Sequence, residues 1–215
     1  MIRWYFDFIS PFSYLQWQKI KALPPAHPVT TVPIVFGAVL QAHGQKGPAE
    51  IPGKREFTYR HVLWQARVEG VPLVFPPSHP FNPLPALRLA IAAGGTTESV
   101  DAVFEWIWTR GHAADSVEAL APLLAALGVQ PGQLGSDATR AELRANTEEA
   151  IAAGVYGVPS LSIDGELFWG NDAHDFALAA LKDRALLADK EMRRVSALPV
   201  GIRRDSGAAA PIGGV

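Results

Sequence analysis

Residues 2–13 read Ile2-Arg3-Trp4-Tyr5-Phe6-Asp7-Phe8-Ile9-Ser10-Pro11-Phe12-Ser13. The aromatic and β-branched run over 2–9, closed by Ser-Pro, predicts a strand. Ser10 suits a helix N-cap, and Pro11 suits the first helical position, where its missing N–H would have had no partner anyway. Tyr14, Leu15, Trp17, Ile20 and Leu23 then follow helical spacing until Pro24-Pro25 ends the run. Val29 to Phe36 predicts a second strand. This is a β-α-β opening, and its parallel crossover is expected to be right-handed.

Outward from this opening, strand patterning stops for about a hundred residues, the size of a small domain. Residues 37–52 read as a Gly- and Pro-bearing connection. Residues 54–69 read as a helix. Prolines 72, 76, 77, 80, 83 and 85 prevent regular helix over 70–85. Helices are predicted over 86–93, 98–110, 116–127 and 137–153, separated by Gly94-Gly95, Gly111 and the Gly128–Gly135 stretch. Strands return at Ser160–Ile163 and Glu166–Phe168 around Asp164-Gly165, a two-residue hairpin turn. Asn171 and Asp172 are placed to cap a last helix over 172–187. The expected class is α/β, β-α-β … α-β-β-α, with a four-stranded mixed sheet. Residues 1–44 and 150–190 form its discontinuous domain, 45–149 a large all-helical insertion, and 191–215 a flexible C-terminal tail.

Composition narrows the function. The chain has 215 residues, 48% hydrophobic and 19% charged, with a formal charge of −2. It can bury a core without staples, and it lacks the cationic excess of a nonspecific nucleic-acid binder. There is no cysteine, which excludes disulfides, thiolate metal sites and a cysteine nucleophile. Asp7 interrupts the apolar amino-terminal run, so no signal peptide is expected, and no apolar stretch reaches about 18 residues. A soluble, cytoplasmic protein is the expectation. His27, His43, His61, His79, His112 and His174 are scattered without ligand spacing, so no metal is expected. They read as structural or surface residues, and Trp64, Trp106 and Trp108 as core.

Ser10 sits where a strand hands over to a helix N-terminus. Amides there lack intrahelical partners, the dipole favours negative charge, and the hydroxyl can donate to an anion. Ser10 is therefore either a plain N-cap or the donor to a bound anion. Gly157-Val158-Pro159-Ser160 precedes the returning strand, where a proline marks an edge, a strand start or a cis turn.

FDFISPFSY, IPGKREFTYRHVLWQARVEGVPLVFP, GVPS and FWGND together resemble the 2-hydroxychromene-2-carboxylate isomerases. These are members of the DsbA-like thioredoxin superfamily and close to the kappa-class glutathione transferases. The resemblance runs from residue 2 to about 185 and implies a thioredoxin-like fold carrying the helical insertion. Ser10 and Ser13 stand where redox members carry C-x-x-C, so disulfide exchange is closed to this chain. The resemblance implies glutathione as the cofactor, with Ser10 as the catalytic residue that keeps the borrowed thiol ionised. Lowering a thiol pKa of ~8.5 by ~2 units takes about 2.7 kcal/mol. A charge-assisted hydrogen bond and a helix N-terminus together supply about that much.

The same resemblance assigns Val158, before Pro159, to backbone pairing with the tripeptide. It assigns Asn171 and Asp172 to the γ-glutamyl end, and Lys54 to the glycine carboxylate. Without it, Asn171 and Asp172 read as caps and Lys54 as a solvated lysine. Asn82, in the Pro-rich loop, is a candidate for the substrate pocket or simply a turn former. Family members often carry an arginine after WGND, where this chain has Ala173 and His174. The implied reaction converts 2-hydroxychromene-2-carboxylate, a small aromatic carboxylate, to trans-o-hydroxybenzylidenepyruvate in aromatic degradation. The rivals are a kappa-like glutathione transferase or peroxidase and a non-catalytic thioredoxin-like peptide-binding module. The expected assembly is a homodimer, with no nucleic acid or membrane partner.

Overall fold

The computed structural model describes residues 1–202. Residues 1–177 form one compact unit, so sheet and helical insertion share a body. The sheet has four strands: β1 (Ile2–Phe6), β2 (Val29–Pro33), β3 (Ser160–Ile163) and β4 (Glu166–Trp169), in the order β2-β1-β3-β4. β1 pairs parallel with β2 (Tyr5 opposite Val32) and antiparallel with β3 (Tyr5 opposite Ser160). β3 and β4 form the expected hairpin, with Asp164 at φ 52° and Gly165 at φ 93°. Positive φ at both turn residues matches the right-handed twist of the flanking strands.

Both faces of β1 are buried except at half-buried Arg3, which pairs with Glu149, and this is why the rest of its sequence is aromatic or aliphatic rather than alternating. Trp4 and Phe6 stack at 4.5 Å on one face, against Trp17 and Phe104. Tyr5 joins Val32, Ile34, Val39, Val155 and Val158 on the other.

β1 ends at Phe6, earlier than the sequence suggests, because Asp7 turns the chain. Its Oδ1 accepts the Ile9 N–H at 3.0 Å, and its carbonyl accepts the Ser10 N–H at 3.1 Å. Helix α1 (Pro11–Ile20) follows, with Ser10 as N-cap. β2 likewise stops at Pro33, and a helix α2 (Phe36–Ala42) lies where sequence reading expects only a connection. It lacks a local cap. Its amino end is instead bound by distant side chains: Thr147 Oγ1 accepts from Val35 N–H and Asp7 Oδ2 from Phe36 N–H. Capping by residues far along the chain leaves no local signal.

The insertion continues through α3 (Pro52–Glu69), α4 (Leu84–Ala92), α5 (Thr97–Phe104), a π-helical turn (Glu105–Thr109), α6 (Ala121–Ala126), α7 (Pro131–Leu134) and α8 (Asp137–Ala152). Gly70, at φ 67°, closes α3 in a left-handed cap that favours glycine. Trp108 is fully buried, but Trp64 is 59% exposed on α3 and is no core residue. α9 (His174–Lys182) begins later than expected, since the Asn171 side chain turns away to another partner.

From Leu178 a second unit begins. It holds a helix α10 (Lys190–Ser196) inside the stretch read as tail, capped by Asp189 Oδ1 on the Glu191 N–H at 2.8 Å. Residues 203–215 of that expected tail lie outside the described residues. No helix among the described residues is long and apolar enough to cross a membrane.

Candidate active site

The chain between β1 and α1 is held at every carbonyl. Asp7 O accepts from Ser10 N–H, Phe8 O from the Trp108 indole at 2.8 Å, Ile9 O from His79 Nε2 at 2.8 Å, and Ser10 O from Tyr14 N–H. Two of these donors, Trp108 and His79, belong to the helical insertion. The insertion thus fixes the turn that presents Ser10. Asp7 locks the turn from beneath, and with no solvent exposure its carboxyl is pushed up to about 7 by burial.

Ser10 is 7% exposed, and that remnant opens into a cavity of about 930 Å³. Its Oγ accepts the Ser13 N–H at 3.2 Å, the ordinary N-cap bond. Because the oxygen is the acceptor there, the hydroxyl proton stays available to a ligand. Cap and anion donor are therefore compatible roles for one side chain. Ser13 is fully buried and its Oγ has no partner in the protein.

Facing this helix end is Gly157-Val158-Pro159, with the Val158–Pro159 bond cis. Val158 precedes the ladder, whose pairing starts at Ser160. Gly157 lets the indole of Trp169 lie directly over it: a Cβ there would displace that ring, which meets Tyr156 edge-on at 5.4 Å. Asn171 is 3% exposed, and its Nδ2 donates to Glu69 Oε1 at 3.2 Å while Oδ1 lacks a partner. Its amide is thus no cap. Gln16, buried in α1, takes the Trp4 indole N–H and donates to Gly170 O at 3.0 Å, tying α1 to the Asn171 loop.

Ser10, Lys54, Asn82, Val158, Pro159, Asn171 and Asp172 all border this one cavity. Lys54 stands exposed in the first turn of α3. Asn82 is also a turn former, its Oδ1 accepting from Leu84 N–H at 3.2 Å. The sequence reading passed over Gln16, Tyr59 and the structural use of Asp7. A carboxylate inside an apolar strand run was the one available signal. No cluster of His, Asp or Glu among the described residues could hold a metal ion.

Residues 1–182 match the family model of the DSBA-like thioredoxin domain. The chain is 32% identical over 182 residues to 2-hydroxychromene-2-carboxylate isomerase of Pseudomonas putida, covering 80% of this chain and 89% of that one. It belongs to the 2-hydroxychromene-2-carboxylate isomerase family. A solved structure of a family member superposes with a TM-score of 0.71 at 27% identity, over 89% of this chain and 98% of the other. Glutathione S-transferase kappa 1 of Caenorhabditis elegans is 22% identical over 212 residues, 88% of this chain and 94% of its own length. In this family setting the paired serines stand at a thioredoxin-type helix start, and the insertion supplies the far wall of the cavity.

Proposed function

We propose that this protein is a glutathione-dependent isomerase that converts 2-hydroxychromene-2-carboxylate to trans-o-hydroxybenzylidenepyruvate. One observation carries the reading. Ser10, with its hydroxyl proton uncommitted, shares a cavity of about 930 Å³ with the loop before Pro159 and with Asn171, Asp172 and Lys54. That volume is large for one small ligand and suits a tripeptide beside an aromatic acid.

The donor set fits glutathione. Val158 offers unladdered backbone for strand addition. The unpartnered Oδ1 of Asn171 and the Asp172 carboxylate are acceptors for an ammonium. Lys54 offers a cation to a carboxylate. When bound, glutathione would supply the nucleophilic thiolate that this cysteine-free chain lacks. Ser10 would donate its proton toward that sulfur while the α1 amides add their dipole. Asp7, Trp108 and His79 hold the turn so that Ser10 needs little reorganisation to act.

Titration calorimetry with glutathione, followed by isomerisation assays with and without it, tests the reading. Heat on binding and glutathione-dependent turnover without net glutathione loss are expected. No binding at millimolar glutathione would favour a peptide-binding module instead. The kappa-class relative motivates a second reading, conjugation or peroxide reduction, which consumes glutathione stoichiometrically. We propose a cytoplasmic homodimer as the working assembly. Phe57, Trp64 and Val68, exposed along one side of α3, are the apolar surface such pairing would cover.

A further inference from the structure

Ile9 O takes a hydrogen bond from His79 Nε2 at 2.8 Å. A carbonyl only accepts, so the proton of the neutral imidazole sits on Nε2 and Nδ1 is bare. The Tyr59 hydroxyl stands 2.6 Å from that Nδ1 and 2.7 Å from the His79 carbonyl. One phenolic proton therefore faces two acceptors. Burial holds the imidazole below its ordinary pKa and the phenol above its own, which keeps both neutral near pH 7. Rings fix the pair in place: Phe75 lies 4.7 Å from Tyr59 and Trp108 lies 5.6 Å from His79.

A second proton on the imidazole would remove the shortage. Nδ1–H would donate to Tyr59 Oη, the Tyr59 hydroxyl to the His79 carbonyl, and Nε2–H to Ile9 O. The cluster has a ready place for one proton taken from elsewhere. Tyr59 and His79 both border the cavity, together with Ile9 and Ser10.

We propose that Tyr59 and His79 form a proton relay for the substrate, with Tyr59 the catalytic group and His79 holding the proton behind it. The proposal rests on the isomerase reading. Opening the chromene ring breaks the bond between C2 and the ring oxygen, whose electron pair leaves with that oxygen as a phenolate. The C2 hydroxyl becomes the ketone as it loses its proton. That proton passes to Tyr59 Oη while the Tyr59 proton moves to His79 Nδ1. The reverse transfer protonates the phenolate. Atoms and charge balance with no other reactant, and the pair returns to its starting state.

The test compares the wild-type chain with Tyr59→Phe, which keeps the ring and deletes only the hydroxyl. With glutathione and 2-hydroxychromene-2-carboxylate, kcat should fall about 100-fold, in the range of a lost general base. Glutathione affinity by calorimetry should stay within about twofold. Parallel losses of kcat and glutathione affinity would make the hydroxyl a prop for the Ser10 turn and overturn the relay. An unchanged kcat would overturn it too, leaving the isomerase reading intact. A wild-type chain inert toward the chromene would overturn both. Nitrogen-15 NMR of the His79 ring gives a readout free of activity: a bare, hydrogen-bonded Nδ1 is expected at neutral pH. A proton resident on Nδ1 in the free protein would also overturn the relay.

Discussion

Asp7 Oδ2 accepts the backbone N–H of Phe36 at 2.9 Å, so a carboxylate at the end of β1 caps a helix that starts 29 residues later. The same side chain bonds Ile9 through its other oxygen. One buried group thereby sets both the Ser10 turn and the neighbouring wall of the cavity.

Asp7 should give the protein a distinctive pH dependence. Its carboxyl is raised from 3.8 to about 7 by burial in the fold, so the folded state binds a proton that the unfolded chain gives up. The stability this contributes is fully present below about pH 4 and is lost as pH rises toward 7. Thermal melts from pH 4 to 8 should show that decline, of order a few kcal/mol at about 1.4 per unit. Asp7→Asn should abolish the slope, and a variant that keeps it would assign the titration to another group.

Ser10→Ala removes both the cap and the free hydroxyl proton. The cap alone is worth about 1 kcal/mol, so the fold should survive with a slightly lower melting temperature. Isomerase turnover should drop by at least tenfold, and the ultraviolet thiolate band of bound glutathione should weaken. Full turnover in the variant would remove Ser10 from the chemistry.

Gly157→Ala puts a methyl into the Trp169 indole. The indole is 54% exposed and can swing aside, so folding should be nearly unaffected. Its fluorescence should shift, and glutathione affinity should fall about fivefold, equivalent to ~1 kcal/mol. An unaltered spectrum together with unaltered affinity would mean that the indole does not shape the cavity.

Trp108→Phe leaves Phe8 O without its donor in a buried site. The orphaned carbonyl and the smaller ring should cost about 2–4 kcal/mol in chemical denaturation. Because Phe8 lies two residues before Ser10, kcat should fall more than glutathione affinity. A loss of stability with kcat intact would show that the insertion does not aim Ser10.

Short-range physics made much of this legible. The aromatic run before Ser-Pro, the Asp164-Gly165 turn and the Gly94-Gly95 break each act through neighbours in sequence, so β1, α1, the hairpin and helices α3, α4 and α8 could be read from residues alone, whereas α6 is shorter than the expected 116–127 helix and α7 lies inside the expected Gly128–Gly135 break. The absence of cysteine ruled out thiol–disulfide exchange by the chain's own side chains at the helix start without any coordinates. What sequence reading misplaced was held by distant partners. α2 carries no local signal because Asp7 and Thr147 cap it from other elements. Trp64 faces solvent, and helical spacing alone does not say which side of α3 meets a neighbour.

The amino-acid order determined the strand-to-helix handover at Ser10, the hairpin, and the lack of any thiol of the chain's own, since those depend on local dihedral preferences and on which atoms are present. Only the tertiary structure decided that His79 and Trp108 grip the carbonyls before Ser10, that the Tyr59 hydroxyl meets His79 Nδ1, and that residues as distant as Lys54 and Asp172 border one cavity. Those relations arise when a chain closes on itself to satisfy buried polar groups, and no neighbouring residue encodes them.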